Sequence, residues 1–107
     1  MSTNLEFETP LVSVIIPTYN RPEFLKEAIA SVLRQTYQHF EIIVSDDCST
    51  ENSQAIVESF NDSRIRFRRN PQNLGVGWNT TYAFKEATGK YVTSLNDDDW
   101  WSEDFLD

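Results

Sequence analysis

The chain has 107 residues, of which 39% are hydrophobic and 13% aromatic, a globular composition that suits one small domain and argues against a disordered chain. Its formal net charge of −8 argues against nucleic-acid binding, because phosphate contacts need clustered lysine and arginine. The single cysteine, Cys48, excludes an internal disulfide and favours a reducing, cytoplasmic compartment, with attachment to the inner face of a membrane left open.

Residues 1–10 open the chain and are expected to form a flexible leader. They have neither the basic segment nor the apolar core of a secretory signal peptide. No apolar run in the sequence approaches the roughly 20 residues of a membrane-spanning helix. We therefore expect one domain over residues 11–107 and no transmembrane segment in this chain.

The first strand and helix follow the leader. Residues 11–16 are a nearly continuous apolar run, which is typical of a parallel strand buried on both faces. After a turn at residues 17–19, Asn20 is predicted to cap a helix at whose start Pro22 is tolerated. Apolar residues then recur at helical spacing, and the helix is expected to end near residues 35–36.

A second strand and helix come next. Residues 40–44 are predicted to form another buried strand, and residues 52–60 a helix. The polar loop between them begins with Asp46 and Asp47 after Ser45. These carboxylates can accept hydrogen bonds from a ligand, but one of them can equally cap the helix that follows.

The last part of the chain is predicted to add two strands and one helix. Residues 65–68 alternate between apolar and basic side chains, so the arginines there are interpreted as the solvated face of a third strand. A loop rich in Asn, Pro and Gly covers residues 70–77. A helix is expected over residues 78–87, with Gly89 as its stop, and a fourth strand over residues 91–95.

This alternation of strands and helices predicts an α/β fold with a mainly parallel sheet and helices on both faces. In open sheets of this kind, ligands bind beyond the carboxyl ends of the strands. Three polar clusters follow predicted strands, at residues 17–20, at Asp46 and Asp47, and at residues 96–99. The sequence therefore predicts a ligand site at that edge of the sheet.

The aspartates at positions 97, 98 and 99 form the densest charge cluster in the chain. Adjacent carboxylates repel one another, so we expect a divalent cation there with a phosphate-bearing ligand on its far side. A calcium loop beginning at Asp97 is rejected, because Trp101 and Ser102 stand where a polar ligand and a glycine are needed. The alternative is a solvated turn with a helix cap. Trp100 and Trp101 are interpreted as core or lid residues.

Other nucleotide-binding motifs fit poorly. The sequence has no phosphate-binding loop of the Gly-x-x-x-x-Gly-Lys-Ser/Thr type. The segment beginning at Gly75 lacks the third glycine of a dinucleotide fingerprint and does not follow the first strand. His39 is interpreted as a surface residue and Cys48 as a small, partly buried filler.

Several ordered motifs resemble family 2 glycosyltransferases with the GT-A fold, a Rossmann-like sandwich. The resemblance runs from residue 11 to the end of the chain. It is carried by Val-Ser-Val-Ile-Ile-Pro-Thr-Tyr-Asn-Arg at residues 12–21, Ser-Val-Leu-Arg-Gln-Thr-Tyr at 31–37, Phe-Glu-Ile-Ile-Val-Ser-Asp-Asp-Cys-Ser at 40–49, Asn-Leu-Gly at 73–75, Ala-Thr-Gly-Lys-Tyr at 87–91 and Asn-Asp-Asp-Asp-Trp-Trp at 96–101.

The resemblance implies transfer of a sugar from a nucleotide-diphosphate sugar to an acceptor hydroxyl, with inversion and with Mn²⁺ or Mg²⁺. By position, the nucleotide-binding residues are Pro17, Thr18, Tyr19, Asp47 and Asp97. Among them, Tyr19 is implied to stack near the base, Asp47 to bind a base N–H, and Asp97 to contact the ribose. The metal ligands are implied to be Asp98 and Asp99. Alignment with the family on Tyr91 and Leu95 favours Asp98 as the metal ligand, whereas a literal Asp-x-Asp motif favours Asp97 and Asp99.

The chain departs from the family pattern in two motifs and in length. Cys48 replaces a common glycine, and Thr80 and Thr81 stand where an arginine is common, which leaves Arg21 as the candidate phosphate neighbour. The family domain is about twice as long, so the resemblance implies a donor-binding half, truncated after the fourth strand, whose general base lies beyond Asp107. The alternatives are a nucleotide-binding module without transfer activity and a metal-dependent nucleotidyltransferase.

Overall fold

Strands and helices alternate along the part of the chain that the computed structural model describes, residues 10–96 and Leu106. The strands are buried apolar runs bounded by polar turns, as the sequence predicts. The elements are β1 (Val12–Thr18), α1 (Pro22–Leu33), β2 (Phe40–Asp46), α2 (Ser53–Ser59), β3 (Ile65–Arg69), α3 (Val76–Phe84) and β4 (Tyr91–Ser94).

The four strands form one parallel sheet in the order β3-β2-β1-β4. The chain moves outward from β1 through β2 to β3, then crosses back so that β4 lies on the other side of β1. The expected mainly parallel sheet is confirmed. The reversal of direction beside β1 is a topological switch point, where the connections diverge and leave a crevice at the carboxyl ends of the strands.

Helices cover both faces of the sheet, which is also as predicted. One face of β1 and β2 packs on α1 and α2 through residues such as Val14, Ile16 and Val44. The other face packs on α3, where Ile15, Ile43 and Ala83 form a smaller apolar cluster. Because successive strand residues point to opposite faces, a strand covered on both sides needs the continuous apolar runs seen in β1 and β2.

The start of α1 differs from the prediction that Asn20 caps it. The residue at the N-cap is Arg21, and no side chain in the described part of the chain makes a capping hydrogen bond to the helix. Asn20 instead adopts a left-handed conformation, with φ of 52°, and its side chain turns toward the loop after β2. The helix also ends at Leu33, before the predicted residues 35–36.

The bounds of α3 differ from the prediction at both ends. The helix begins at Val76 because Gly75, with φ of 92°, makes a turn that other residues rarely adopt. It ends at Phe84, so Gly89 is not its stop. A Cβ atom at Gly89 would lie 2.7 Å from the carbonyl oxygen of Leu11, so this glycine permits close approach to β1.

The basic residues of β3 are not simply a solvated face, as the alternation suggested. Arg66 pairs with Glu41, Arg68 with Glu86, and Arg69 with Asp46. The strand lies at the edge of the described sheet, where charged side chains discourage pairing with another strand. Its arginines therefore fasten this edge to the neighbouring elements.

Glu41, near the start of β2, joins three elements at the amino end of the sheet. It accepts hydrogen bonds from Ser13 on β1, from the backbone and hydroxyl of Thr88, and from Arg66. Burial raises the pKa of this carboxyl, but these hydrogen bonds together outweigh that effect and hold the pKa below its ordinary value of 4.5.

None of the helices within residues 10–96 combines the length and the apolar composition that crossing a membrane requires.

Candidate functional site

A cavity of about 460 Å³ opens at the carboxyl end of the sheet, at the switch point. Its walls come from the end of β1 and the loop after it, the loop after β2, the loop before α3, the start of α3, and Asn96, two residues after β4. The lining residues are Pro17, Thr18, Tyr19, Arg21, Asp47, Asn73, Gly75, Val76, Asn79 and Asn96. The volume lies within the range of small-molecule and cofactor sites.

The structure brings together four of the five residues predicted to bind a nucleotide. Pro17 and Thr18 at the end of β1, with Tyr19 just after it, form one wall, and Asp47 lies in the wall after β2. The fifth residue, Asp97, lies outside the described residues. The shared cavity agrees with a common site, and the role of each residue in binding stays a prediction.

Asp47 is almost completely buried, with 4% of its surface exposed, and its carboxylate fastens the loop before α3. Its Oδ1 atom accepts hydrogen bonds from Asn70 Nδ2 at 2.9 Å and from the backbone N–H of Leu74 at 2.8 Å. Its Oδ2 atom accepts one from the backbone N–H of Gly75 at 2.9 Å. Among the described residues, Gly75 is the one donor to Oδ2, which leaves this oxygen with room to accept a further hydrogen bond.

A buried network of side-chain amides holds Asp47 in place through Asn70. Asn70 Nδ2 also donates to Asn79 Oδ1 at 2.9 Å, and Asn79 Nδ2 donates to the backbone carbonyl of Ser45 at 2.8 Å. Both asparagines are 1% exposed, so their hydrogen bonds are made away from water, where breaking them is costly. The network ties α3 to the end of β2 and holds the Asp47 carboxylate in the wall of the cavity.

Sequence reasoning missed Asn70 and Asn79. Asn70 is the first residue of the loop at residues 70–77, which is rich in Asn, Pro and Gly, and Asn79 lies two residues beyond that loop. A signal was present at Asn79, because asparagine has a low helix propensity and tends to occur in a helix where its side chain has a specific partner.

The neighbouring carboxylate, Asp46, is the last residue of β2 and has a different role. Asp46 is fully buried and accepts hydrogen bonds from Ser49, Ser53 and Arg69. The alternative that Asp46 or Asp47 caps α2 is wrong, because Asn52 is the N-cap and its side chain accepts from the backbone N–H of Ala55 at 3.2 Å. Asp46 therefore orders the loop, while Asp47 faces the cavity.

Two side chains from the loop after β1 give the cavity its aromatic and cationic groups. Tyr19 lines it with 46% of its surface exposed, so its ring is available to a ligand. Arg21 also lines it, and the guanidinium lies 5.9 Å from the centre of the Phe24 ring. An aromatic face, a buried carboxylate and a guanidinium around one cavity suit a ligand that has both a ring with an N–H group and a negative charge.

The predicted metal ligands, Asp98 and Asp99, lie outside the described residues, as do Trp100 and Trp101. The described residues contain no cluster of three or more His, Cys, Asp or Glu side chains that could hold a metal ion. Asn96 lines the cavity, and the aspartates follow it directly in the sequence. Carboxylate oxygens are the ligands that Mg²⁺ and Mn²⁺ prefer, so the residue types at 97–99 fit a divalent cation.

Comparison of the sequence with protein families gives one match that covers almost the whole chain. Residues 13–107 match the profile of glycosyl transferase family 2. A curated relative, the putative colanic acid biosynthesis glycosyl transferase WcaA of Escherichia coli, is 42% identical over 99 residues, which are 91% of this chain and 36% of that protein. The chain spans about a third of the length of the curated relatives it matches.

Solved structures have the same fold over the described elements. S. aureus TarS residues 1–349, in complex with UDP, align with a TM-score of 0.83 and 32% identity over 89% of this chain and 29% of that one. The mannosyltransferase PcManGT of Pyrobaculum calidifontis, in complex with GDP-Man and Mn²⁺, aligns with a TM-score of 0.80 and 25% identity over 88% of this chain and 29% of that one.

Proposed function

The chain belongs to glycosyl transferase family 2, and on that premise we propose that its cavity binds the nucleotide of a nucleotide-diphosphate sugar. Residues 11–107 form the donor-binding half of an enzyme that transfers the sugar to an acceptor hydroxyl with inversion. The reaction takes place in the cytoplasm, as the single cysteine predicts. The acceptor is a carbohydrate or another hydroxyl compound.

The buried carboxylate of Asp47 is the observation that carries this proposal. It is held by three hydrogen bonds in the wall of a cavity at the switch point, and its Oδ2 atom still has room for a further donor. A base N–H that donates to this oxygen replaces the water it would otherwise bind, while the exposed ring of Tyr19 provides a face for stacking.

The pattern of open acceptors favours a base of the uracil class. Guanine presents two neighbouring N–H donors on one edge and is best matched by both oxygens of a carboxylate. In Asp47, Oδ1 already accepts from Asn70 and Leu74, and Oδ2 accepts from Gly75. One further position suits the single imide N–H of uracil. The complex of TarS with UDP supports the same choice, although PcManGT binds GDP-Man.

The diphosphate belongs in the same cavity, near Arg21 and the start of α3. The first backbone N–H groups of a helix have no partner within the helix and favour an anion. Gly75 and Val76, at the start of α3, line the cavity. Arg21 supplies the charge that the family places in the third helix, where this chain has Thr80 and Thr81.

Asp98 and Asp99 are the residues that would hold Mn²⁺ or Mg²⁺, and Asp97 would contact the ribose. When bound, the cation offsets the charge of the carboxylates and stabilises the leaving diphosphate. The chain's own carboxylates bind and orient the donor. Without a cation they would repel the diphosphate by roughly 1–4 kcal/mol for each pair of charges 4 Å apart, depending on the local dielectric.

A titration followed by NMR tests the proposal. UDP, GDP and dTDP are added to the chain with and without Mg²⁺, and the resonances of Tyr19 and Gly75 are followed. We expect UDP and dTDP to shift both residues, GDP to bind more weakly, and the Asp98→Ala variant to lose the Mg²⁺ dependence. Shifts confined to residues away from the cavity, or UDP affinity that is unchanged by Mg²⁺, contradict the proposal.

The alternative of a module that binds without transferring sugar is tested separately. A turnover assay with UDP-sugars and this chain alone measures release of UDP in the presence of candidate acceptors. Transfer by the isolated chain refutes the binding-only alternative. Binding without transfer agrees with a donor-binding half that needs further residues for the general base.

A further inference from the structure

Asn20 joins the loops after β1 and β2, which contribute Tyr19 and Asp47 to the lining of the cavity. Its Oδ1 atom accepts hydrogen bonds from the backbone N–H of Thr50 at 2.8 Å, from the Thr50 hydroxyl at 3.1 Å and from the backbone N–H of Glu51 at 3.3 Å. Its own backbone N–H donates to Ser49 Oγ at 2.8 Å. One residue in the loop after β1 thus makes four hydrogen bonds with the loop after β2, three of them through its side chain.

These contacts continue into the sheet. The Ser49 hydroxyl donates to Asp46, and the Ser49 backbone N–H donates to the other oxygen of the same carboxylate at 2.9 Å. Arg69 Nε donates to that oxygen at 3.0 Å. In the sheet, Thr18 is the register partner of Asp46, and Asp46 of Arg69. These hydrogen bonds therefore form a continuous series across the carboxyl ends of β1, β2 and β3, and the series begins at Asn20.

The conformation of Asn20 is part of this arrangement. Its φ of 52° turns the chain sharply between Tyr19, which lines the cavity, and the first turn of α1. Asparagine is among the few residues that adopt this conformation readily. An asparagine here meets two requirements at once, a left-handed backbone and a side-chain acceptor that reaches the next loop.

We propose that Asn20 is a positioning residue for the nucleotide: it fixes the distance between the Tyr19 wall and the Asp47 wall before the ligand arrives. The inference rests on the proposed function, because the base must stack on Tyr19 and donate to Asp47 at the same time. Tyr19 is adjacent to Asn20, and Asp47 precedes Ser49 by two residues. Holding the loops together lowers the cost of ordering them on binding.

The test compares two glycine variants. Asn20→Gly keeps the left-handed backbone accessible and removes the side-chain acceptor. Asn61→Gly is the matched control, because Asn61 has a φ of 50° and lies just after α2, at the opposite end of the sheet from the cavity. Both substitutions raise the conformational entropy of the unfolded chain by the same amount. A fall in melting temperature that the two variants share is therefore due to the glycine and not to the lost side-chain contacts.

UDP affinity and melting temperature are measured for both variants in Mg²⁺. We expect Asn20→Gly to bind UDP about tenfold more weakly, the equivalent of about one net hydrogen bond, and to show a smaller shift of the Tyr19 ring resonances. We expect Asn61→Gly to bind as the unaltered chain does. The Asn20→Asp variant restores the acceptor, so it should bind more tightly than Asn20→Gly even though its added charge opposes a diphosphate.

Equal UDP affinity in Asn20→Gly and Asn61→Gly overturns the inference, as does Asn20→Asp binding no better than Asn20→Gly. Failure of the unaltered chain to bind UDP contradicts the proposed function itself, and the inference with it. Binding by the unaltered chain with no effect of Asn20→Gly leaves the proposed function standing and removes only the positioning role.

Discussion

Replacing Asp47 with asparagine changes one atom of the carboxylate from an acceptor to a donor. The amide can keep its oxygen toward Asn70 and Leu74, which together make two hydrogen bonds to Oδ1. Its NH₂ group then takes the place of Oδ2 and faces the backbone N–H of Gly75, which now has no acceptor at that position. The substitution therefore affects both the loop before α3 and the side of the group that faces the cavity.

Typical free energies of hydrogen bonds give the size of each effect. Gly75 is exposed, so water can satisfy its N–H, and loss of the hydrogen bond to Oδ2 costs about 0.5–1.5 kcal/mol of stability. A hydrogen bond from a base N–H to a charged oxygen contributes about 1.5–3 kcal/mol, so UDP affinity should fall by roughly 10- to 150-fold. The variant should also lose preference between bases, because N3 of cytosine is an acceptor that the new NH₂ group can satisfy.

Calorimetric titration with UDP and CDP in Mg²⁺, together with urea unfolding, measures both effects. Glu41→Gln is the control, since it changes another carboxylate with several hydrogen bonds, which lies near the start of β2 at the end of the sheet away from the cavity. We expect Glu41→Gln to lose stability and keep its UDP affinity. If Asp47→Asn keeps UDP affinity within twofold, or if its ratio of UDP to CDP affinity is unchanged, the assignment of Asp47 to the base is refuted.

Three further predictions concern stability. The lowered pKa of Glu41 implies that its carboxylate stabilises the fold above the unfolded pKa of 4.5, and that this contribution is lost as the pH falls through the folded pKa. The free energies of unfolding of the unaltered chain and of Glu41→Gln, measured in urea at several pH values, should therefore differ less in acid. Gly89→Ala should cost about 1–3 kcal/mol, because its Cβ atom would lie 2.7 Å from the Leu11 carbonyl oxygen; a thermal melt with no change contradicts this close approach. Cys48 has a φ of 65°, so Cys48→Gly should raise stability by at most about 1 kcal/mol while Cys48→Ala should not; equal effects in calorimetry would refute backbone strain as the cause.

Local patterns in the sequence were enough to predict the elements and their class. The strands carry apolar runs because helices cover both faces of the sheet, and this requirement is visible in the composition of β1 and β2. Element bounds were less well predicted where backbone geometry decides them. The turn at Gly75 starts α3 two residues before the predicted start at residue 78, and Asn20 and Asn52 both precede a helix although only Asn52 caps one.

The sequence by itself determined the α/β class, the family resemblance and the convergence of polar clusters at one edge, since parallel strands joined by helices bring their carboxyl ends to the same side. Only the tertiary structure decided that β4 lies beside β1, which sets the position of the cavity. It also decided the partners of Asn20, Asn70 and Asn79. Those partners come from different elements, up to 34 residues away in the chain, and no local pattern encodes contacts formed only when the strands have found their order.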